Sequence, residues 1–186
     1  MTKSVSNIFG GEAKVKIMRL FIFNPGIIFE ASAVSDRTQE RRPVVAREIG
    51  NLVKAGLLKK KSKGYTLNYD YPYVEALNSF LIDASPITEK EVIKKISRAG
   101  VIKLILISGV FLHDREARVD MLVVGDHLKK GVLVQAISSI EAMLGKEIRY
   151  ASFETADFQY RLGLYDKLVR DILDFKHKKI LNKLGV

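Results

Sequence analysis

The stretch Val101–Asp126 reads V-I-K-L-I-L-I-S-G-V-F-L-H-D-R-E-A-R-V-D-M-L-V-V-G-D, and its residue types suit a phosphate site. An apolar run, Val101–Ile107, stops at Ser108-Gly109; a charged loop, Leu112–Glu116, follows, and a second apolar run covers Val119–Val124. Glycine directly after a buried strand lets the backbone come close to a phosphate. Asp120 opens the second run and would sit at the same mouth. A different chemistry sits upstream. Between Arg37 and Lys63 nine basic residues stand against Glu40 and Glu48, so this window carries +7 of the chain's net +10. That concentration, with a pI near 9.7, points to a nucleic-acid partner. Other chemistries find no support. There is no cysteine, so no disulfide framework and no thiolate metal site, and His113, His127 and His177 lack ligand spacing. No dinucleotide fingerprint, Walker loop, zinc-protease motif or nucleophile elbow occurs. The expectation is no cofactor and no metal.

The elements that must hold these residues follow from periodicity. Glu12–Phe23 reads as a helix with Ala13, Ile17, Leu20 and Phe21 on one face, stopped by Asn24-Pro25-Gly26. Ile27–Phe29 reads as a short strand and Glu30–Arg37 as a second helix. Pro43 is placed to start a third helix, Pro43–Ala55, closed by Gly56. Its stripe Val45, Ile49, Leu52 and Val53 is the expected core face, with Val44, Arg47, Glu48 and Asn51 opposite. Leu57–Lys60 and Tyr65–Asn68 read as two strands around a turn at Ser62-Lys63-Gly64. The tyrosine-rich segment Asn68–Tyr73 leads to a helix Val74–Ala84, and Ser85-Pro86 marks a boundary. A helix opens at the capping box Thr88–Glu91. The remainder reads strand, strand, helix (Lys129–Leu144), strand (Glu147–Phe153), helices at Thr155–Tyr160 and Leu162–Leu173, and a tail, Lys178–Val186, left open between a strand and a frayed helix.

Helix, strand, helix, helix, hairpin, with the phrase L-V-K-A-G-L-L-K-K-K-S-K-G-Y-T-L-N, resembles the winged helix-turn-helix of bacterial and archaeal transcription regulators over about Asn7–Asn68. The resemblance implies a third helix in the major groove and a wing along the backbone. Arg41, Arg42 and Lys54 would approach the duplex, with Arg47 and Asn51 at base edges and Val44 near a thymine methyl. Lys59, Lys60, Lys61 and Lys63 would touch phosphates, giving affinity rather than sequence choice.

From about Val92 onward the chain resembles small stand-alone nucleotidyltransferase-fold domains, whose hallmark is Gly-Ser after one strand and Asp-x-Asp opening the next. Gly109 matches the glycine and Asp120 the second aspartate. Val110 stands in place of the serine, Arg118 in place of the first aspartate, and Arg149, by register, in place of the third carboxylate. Two guanidiniums for two carboxylates reverse the charge a two-metal site requires. The resemblance therefore implies a pseudo-enzyme whose site residues Ser108, Gly109, Val110, Arg118, Asp120 and Arg149 hold no metal. Residues 118 and 120, two apart on one strand, would share a face. Asp120 would then lie between Arg118 and Arg149, with one net positive charge left for an anionic or nucleotide ligand.

The expected fold is a two-domain α+β / α/β chain: residues 1–84 as a winged helix with a linker helix, residues 85–186 as a nucleotidyltransferase-like mixed sheet with helices. The expected function is a DNA-binding transcriptional regulator with a non-catalytic sensor or dimerisation domain. Two alternatives stay open, an active nucleotidyltransferase with an altered metal site and an antitoxin-like protein-binding scaffold. Double-stranded DNA is the expected partner and a homodimer the expected form. The start M-T-K-S-V-S-N lacks a signal peptide's apolar core and no run reaches membrane-span length, so a cytoplasmic location is expected.

Overall fold

A computed structural model describes residues 2–114 and 116–186. The architecture is mixed α/β with a mixed sheet, and the chain divides into two compact units: Met1–Thr88 with Ser138–Lys146, and Glu89–Ile137 with Glu147–Val186.

The first unit opens with helices α1 (Thr2–Ile8) and α2 (Glu12–Phe23), then α3 (Ala31–Thr38) and α4 (Arg42–Lys54). Ile17, Leu20 and Phe21 of α2 meet Val34 of α3 and the Val45/Ile49/Leu52 stripe of α4 in one core, as 3.6-residue spacing dictates. The end of α4 is closed by two backbone bonds, Gly56 N–H to Val53 O and Leu57 N–H to Leu52 O, the pairing of a Schellman turn. It leads directly into the hairpin of β1 (Leu58–Lys61) and β2 (Gly64–Leu67). The strand expected at Ile27–Phe29 shrinks to a single bridge, Phe29 to Tyr65, because the turn bond from Ile27 N–H to Asn24 O holds the preceding residues out of the sheet. Gly64 is required at that bridge: a Cβ there would lie 2.3 Å from Phe29 O. Helix α5 (Val74–Asp83) buries Leu81 in the same core.

The second unit is built on four strands, β3 (Val101–Ile107), β4 (Met121–Asp126), β5 (Tyr150–Glu154) and β6 (Lys178–Asn182), in the order β5-β4-β3-β6. Strands β3 and β4 are antiparallel, β4 and β5 parallel, and β3 and β6 antiparallel. The central pair is apolar on both faces and buried, from Leu104 to Ile107 and Met121 to Val124, which is why these strands read as unbroken hydrophobic runs. Leu104, Leu106, Leu122 and Val124 meet Phe158, Val169 and Ile172 on one face. Helix α6 (Glu89–Ile96) precedes the sheet, and α7 (Lys130–Leu144) links β4 to β5. The tail left open by periodicity is a strand, β6. The two helices expected at Thr155–Tyr160 and Leu162–Leu173 are α8 (Thr155–Gly163) and α9 (Lys167–Asp174), with the break at residues 164–166 rather than at Arg161. Tyr165 takes a left-handed conformation (φ 54°), and the Asp166 carboxylate accepts from Leu168 N and Val169 N as an N-cap.

Candidate nucleic-acid interface and the Asp120 cluster

Helix α4 presents its N-terminus with Arg41 as N-cap residue and no acidic side chain in its first turn. Cations there oppose the helix dipole, so Arg41 and Arg42, both exposed, do nothing for helix stability. Their charge does suit an approaching anion, though the first turn adds few free N–H groups, since Pro43 has none and Val44 and Val45 N–H donate to Arg41 O. Further along the exposed side lie Arg47, Asn51 and Lys54, with Val44 half-buried. In β1, Lys59, Lys60 and Lys61 are all exposed, and Lys63 sits at the hairpin turn. Lys59 pairs with Asp70. Among the described residues Arg41, Arg42, Lys54, Lys60, Lys61 and Lys63 have no ion-pair partner.

Glu48 is the correction on this surface. Sequence spacing placed it on the reading face, yet it is 5 % exposed. Its carboxylate accepts from Arg47 Nε (2.9 Å) and Asn51 Nδ2 (3.3 Å), and Lys14 Nζ of α2 lies 3.5 Å away. Burial works to raise this carboxyl, but the hydrogen bonds from Arg47 and Asn51 and the Lys14 charge outweigh it and hold it below the usual carboxylate value. Glu48 is thus an internal brace for the two residues expected to read bases. The signal that could have shown this is Lys14, one helix away and of opposite sign.

In the second unit Asp120 is fully buried. Its Oδ1 accepts from Val110 N (2.9 Å) and Arg149 Nη2 (3.1 Å), and its Oδ2 from Arg149 N (2.8 Å) and Arg149 Nε (3.0 Å). Four donors on two oxygens occupy the lone pairs a metal would need. Gly109 (φ 48°) makes room for this carboxylate: a Cβ there would lie 1.8 Å from Asp120 Oδ1. The Ser108 hydroxyl donates to Lys176 O, and Ser108 N–H to Asp120 O. The fork from Arg149 is bidentate, and the Asp120 carboxylate raises the guanidinium above its ordinary value.

Arg118 does not join them. It precedes β4 rather than lying in it, so the two-residue alternation expected of a strand does not apply, and its guanidinium bonds Asp171 of α9 at 2.8 Å. Asp120 is held by one arginine, not two. Strand β5 begins at Tyr150 rather than Glu147, because the backbone of Arg149 is engaged at Asp120: Arg149 O accepts from both Asp120 N and Met121 N. The Arg149 guanidinium meets Asp120 as the register implies; the amide beside Gly109, expected to face an anion, is turned onto Asp120 as well, and with Arg118 on Asp171 the second guanidinium is absent from this cluster. Among the described residues no three His, Cys, Asp or Glu side chains are grouped as metal ligands, and no helix is long and apolar enough to cross a membrane.

No family model, no curated protein and no solved structure matches the chain.

Proposed function

We propose that this chain is a DNA-binding transcriptional regulator whose first unit is a winged helix-turn-helix and whose second unit is a catalytically degenerate nucleotidyltransferase-like sensor or dimerisation platform. The observation that carries the reading is the set of unpaired cations on α4 and its hairpin, Arg41, Arg42, Lys54, Lys60, Lys61 and Lys63. Apart from Lys54, whose charge suits the C-terminal end of α4, these charges without counterions stabilise nothing within the fold. They are what a polyanion requires, since each phosphate contact releases condensed counterions. Lysines on an exposed β1 also blunt a strand edge, but that role does not explain the two arginines against the α4 dipole. For the second unit, support comes from Asp120, whose oxygens are engaged by Val110 and Arg149. An aspartate held in this way positions loops rather than metal.

The test is duplex binding by fluorescence anisotropy between roughly 50 and 200 mM salt. Neutralising Lys60, Lys61 and Lys63 together should weaken binding on all sequences and flatten the slope of log K against log salt by roughly one unit per lost phosphate contact. An unchanged affinity and slope would remove the hairpin from the interface.

A further inference from the structure

Three strands leave one side of their ladders open: β1 in the hairpin, and β6 and β5 at the two ends of the four-stranded sheet. Open edges invite pairing with another chain, and native proteins blunt them with lysine, proline or bulges. Strand β1 carries Lys59, Lys60 and Lys61; β6 carries Lys178 and Lys179 and a register shift against β3. Strand β5, Tyr-Ala-Ser-Phe-Glu, has none of these, and its pairing with β4 is regular.

The orientation of its backbone follows from Arg149, whose N–H and C=O both face the β4 side. Because successive residues of a strand alternate, Ala151 and Phe153 also face β4, and the backbone groups of Tyr150, Ser152 and Glu154 face outward. Among the described residues those outward groups have no backbone partner outside their own elements, and the side chains of all three are exposed.

We propose that β5 is a self-association edge, pairing antiparallel with β5 of a second copy about a two-fold axis at Ser152. This register follows from the residues. Ser152 opposes Ser152 of the second copy as a hydrogen-bonded pair, exchanging two N–H···O bonds. Glu154 N–H meets the second copy's Tyr150 C=O, twice by symmetry, while Glu154 C=O stays with α8, whose N-cap it is. Four backbone bonds form. Tyr150 stands opposite Glu154 and Ala151 opposite Phe153, so no like charges meet. The Glu154 carboxylate is already held by His127 N and Leu128 N, which fixes the strand end in a paired conformation. The two serine hydroxyls are placed to bond across the axis. A two-fold contact of this kind closes on itself and forms no fibre. The proposal is independent of nucleic-acid binding, and either can fail alone.

Sedimentation velocity of the full chain, without DNA, should show a monomer–dimer equilibrium across micromolar concentrations. Ser152→Lys, which gives β5 the feature the other two edges have, should abolish the dimer while leaving the circular dichroism spectrum unchanged and the melting temperature equal to that of the wild type diluted to monomer. Because the chain contains no cysteine, Ser152→Cys supplies a direct check of register. Mild oxidation should give a disulfide dimer in high yield, since directly opposed positions fall within disulfide reach; Tyr160→Cys, on the exposed side of α8, should give little. A wild-type chain monomeric throughout, a dimer indifferent to Ser152→Lys, or equal cross-linking from both cysteines would each overturn the proposal.

Discussion

Asp120 gives up all contact with water and receives in exchange four hydrogen bonds, two of them from backbone amides. Removing it leaves the Val110 and Arg149 amides without acceptors, each a desolvated donor. Asp120→Ala should therefore cost about 3 kcal/mol in chemical denaturation. Arg149→Ala, whose side chain is 56 % exposed, should cost about 1 kcal/mol or less, since water replaces the lost pair on that side. Equal small effects would mean that Asp120 is dispensable to the fold and free for other chemistry. Glu48 makes a prediction of opposite reach, in pH. Its folded-state value lies below its ordinary one, so its contribution to stability is present above about pH 4.3 and is lost as the pH falls through the lower folded value. The melting-temperature advantage of the wild type over Glu48→Gln should thus be full near neutral pH and vanish in strongly acidic buffer. The pairing of Asp120 with Arg149 is legible in the strand register; its two backbone donors and the burial of Glu48 are not. Helical geometry put Glu48 beside Arg47 and Asn51 correctly, but whether that neighbourhood faces solvent or α2 depends on Lys14, a contact that lies across the fold.

At the level of elements, legibility followed burial. Strands β3 and β4 were readable because both faces are buried and the apolar run is unbroken; β5 was displaced by three residues because a side chain, Asp120, captures its leading backbone. A break between two helices is expected at Arg161 and falls instead at residues 164–166, because Tyr165 adopts positive φ without being glycine. For α4, the stripe Val45, Ile49, Leu52 fixed the core face, and the exposed side follows. Arg47 is 69 % exposed, and its Nε is tied to Glu48. This leaves Nη1 and Nη2 projecting from a braced stem, the arrangement that suits two acceptors on a guanine edge. Arg47→Ala should cost about 1–3 kcal/mol on a selected duplex and relax preference at one base pair. Selection from random duplexes with both proteins reads this directly. A penalty equal on every sequence would assign Arg47 to phosphate.

On the scale of the whole molecule the linear order of the chain and its compact units differ. The first unit runs from Met1 to Thr88 but also takes in Ser138–Lys146, and α7 is one continuous helix that contributes residues to both units. Inside the first unit this returning segment supplies specific contacts. Asn24 Nδ2 donates to Gly145 O at 2.6 Å, the Lys146 ammonium lies 5.7 Å from the centre of the Phe23 ring, and Ala142 is buried. The first two of these lie at the C-terminal end of α2, the helix whose Ile17, Leu20 and Phe21 form the core under α4. A fragment of residues 1–88 should therefore fold with α4 in place but hold α2 less firmly. Losing one buried hydrogen bond, a cation–π contact and the apolar cover together should amount to about 2 kcal/mol. Hydrogen exchange measures this at the relevant site: protection of the α2 amides near Phe23 should fall about 30-fold in the fragment relative to the full chain. The same amides, followed in a fragment that retains duplex binding, would show that DNA contact and α2 stability are separable. Unchanged protection would mean that the first unit is complete at Thr88 and that Ser138–Lys146 contributes nothing to its stability.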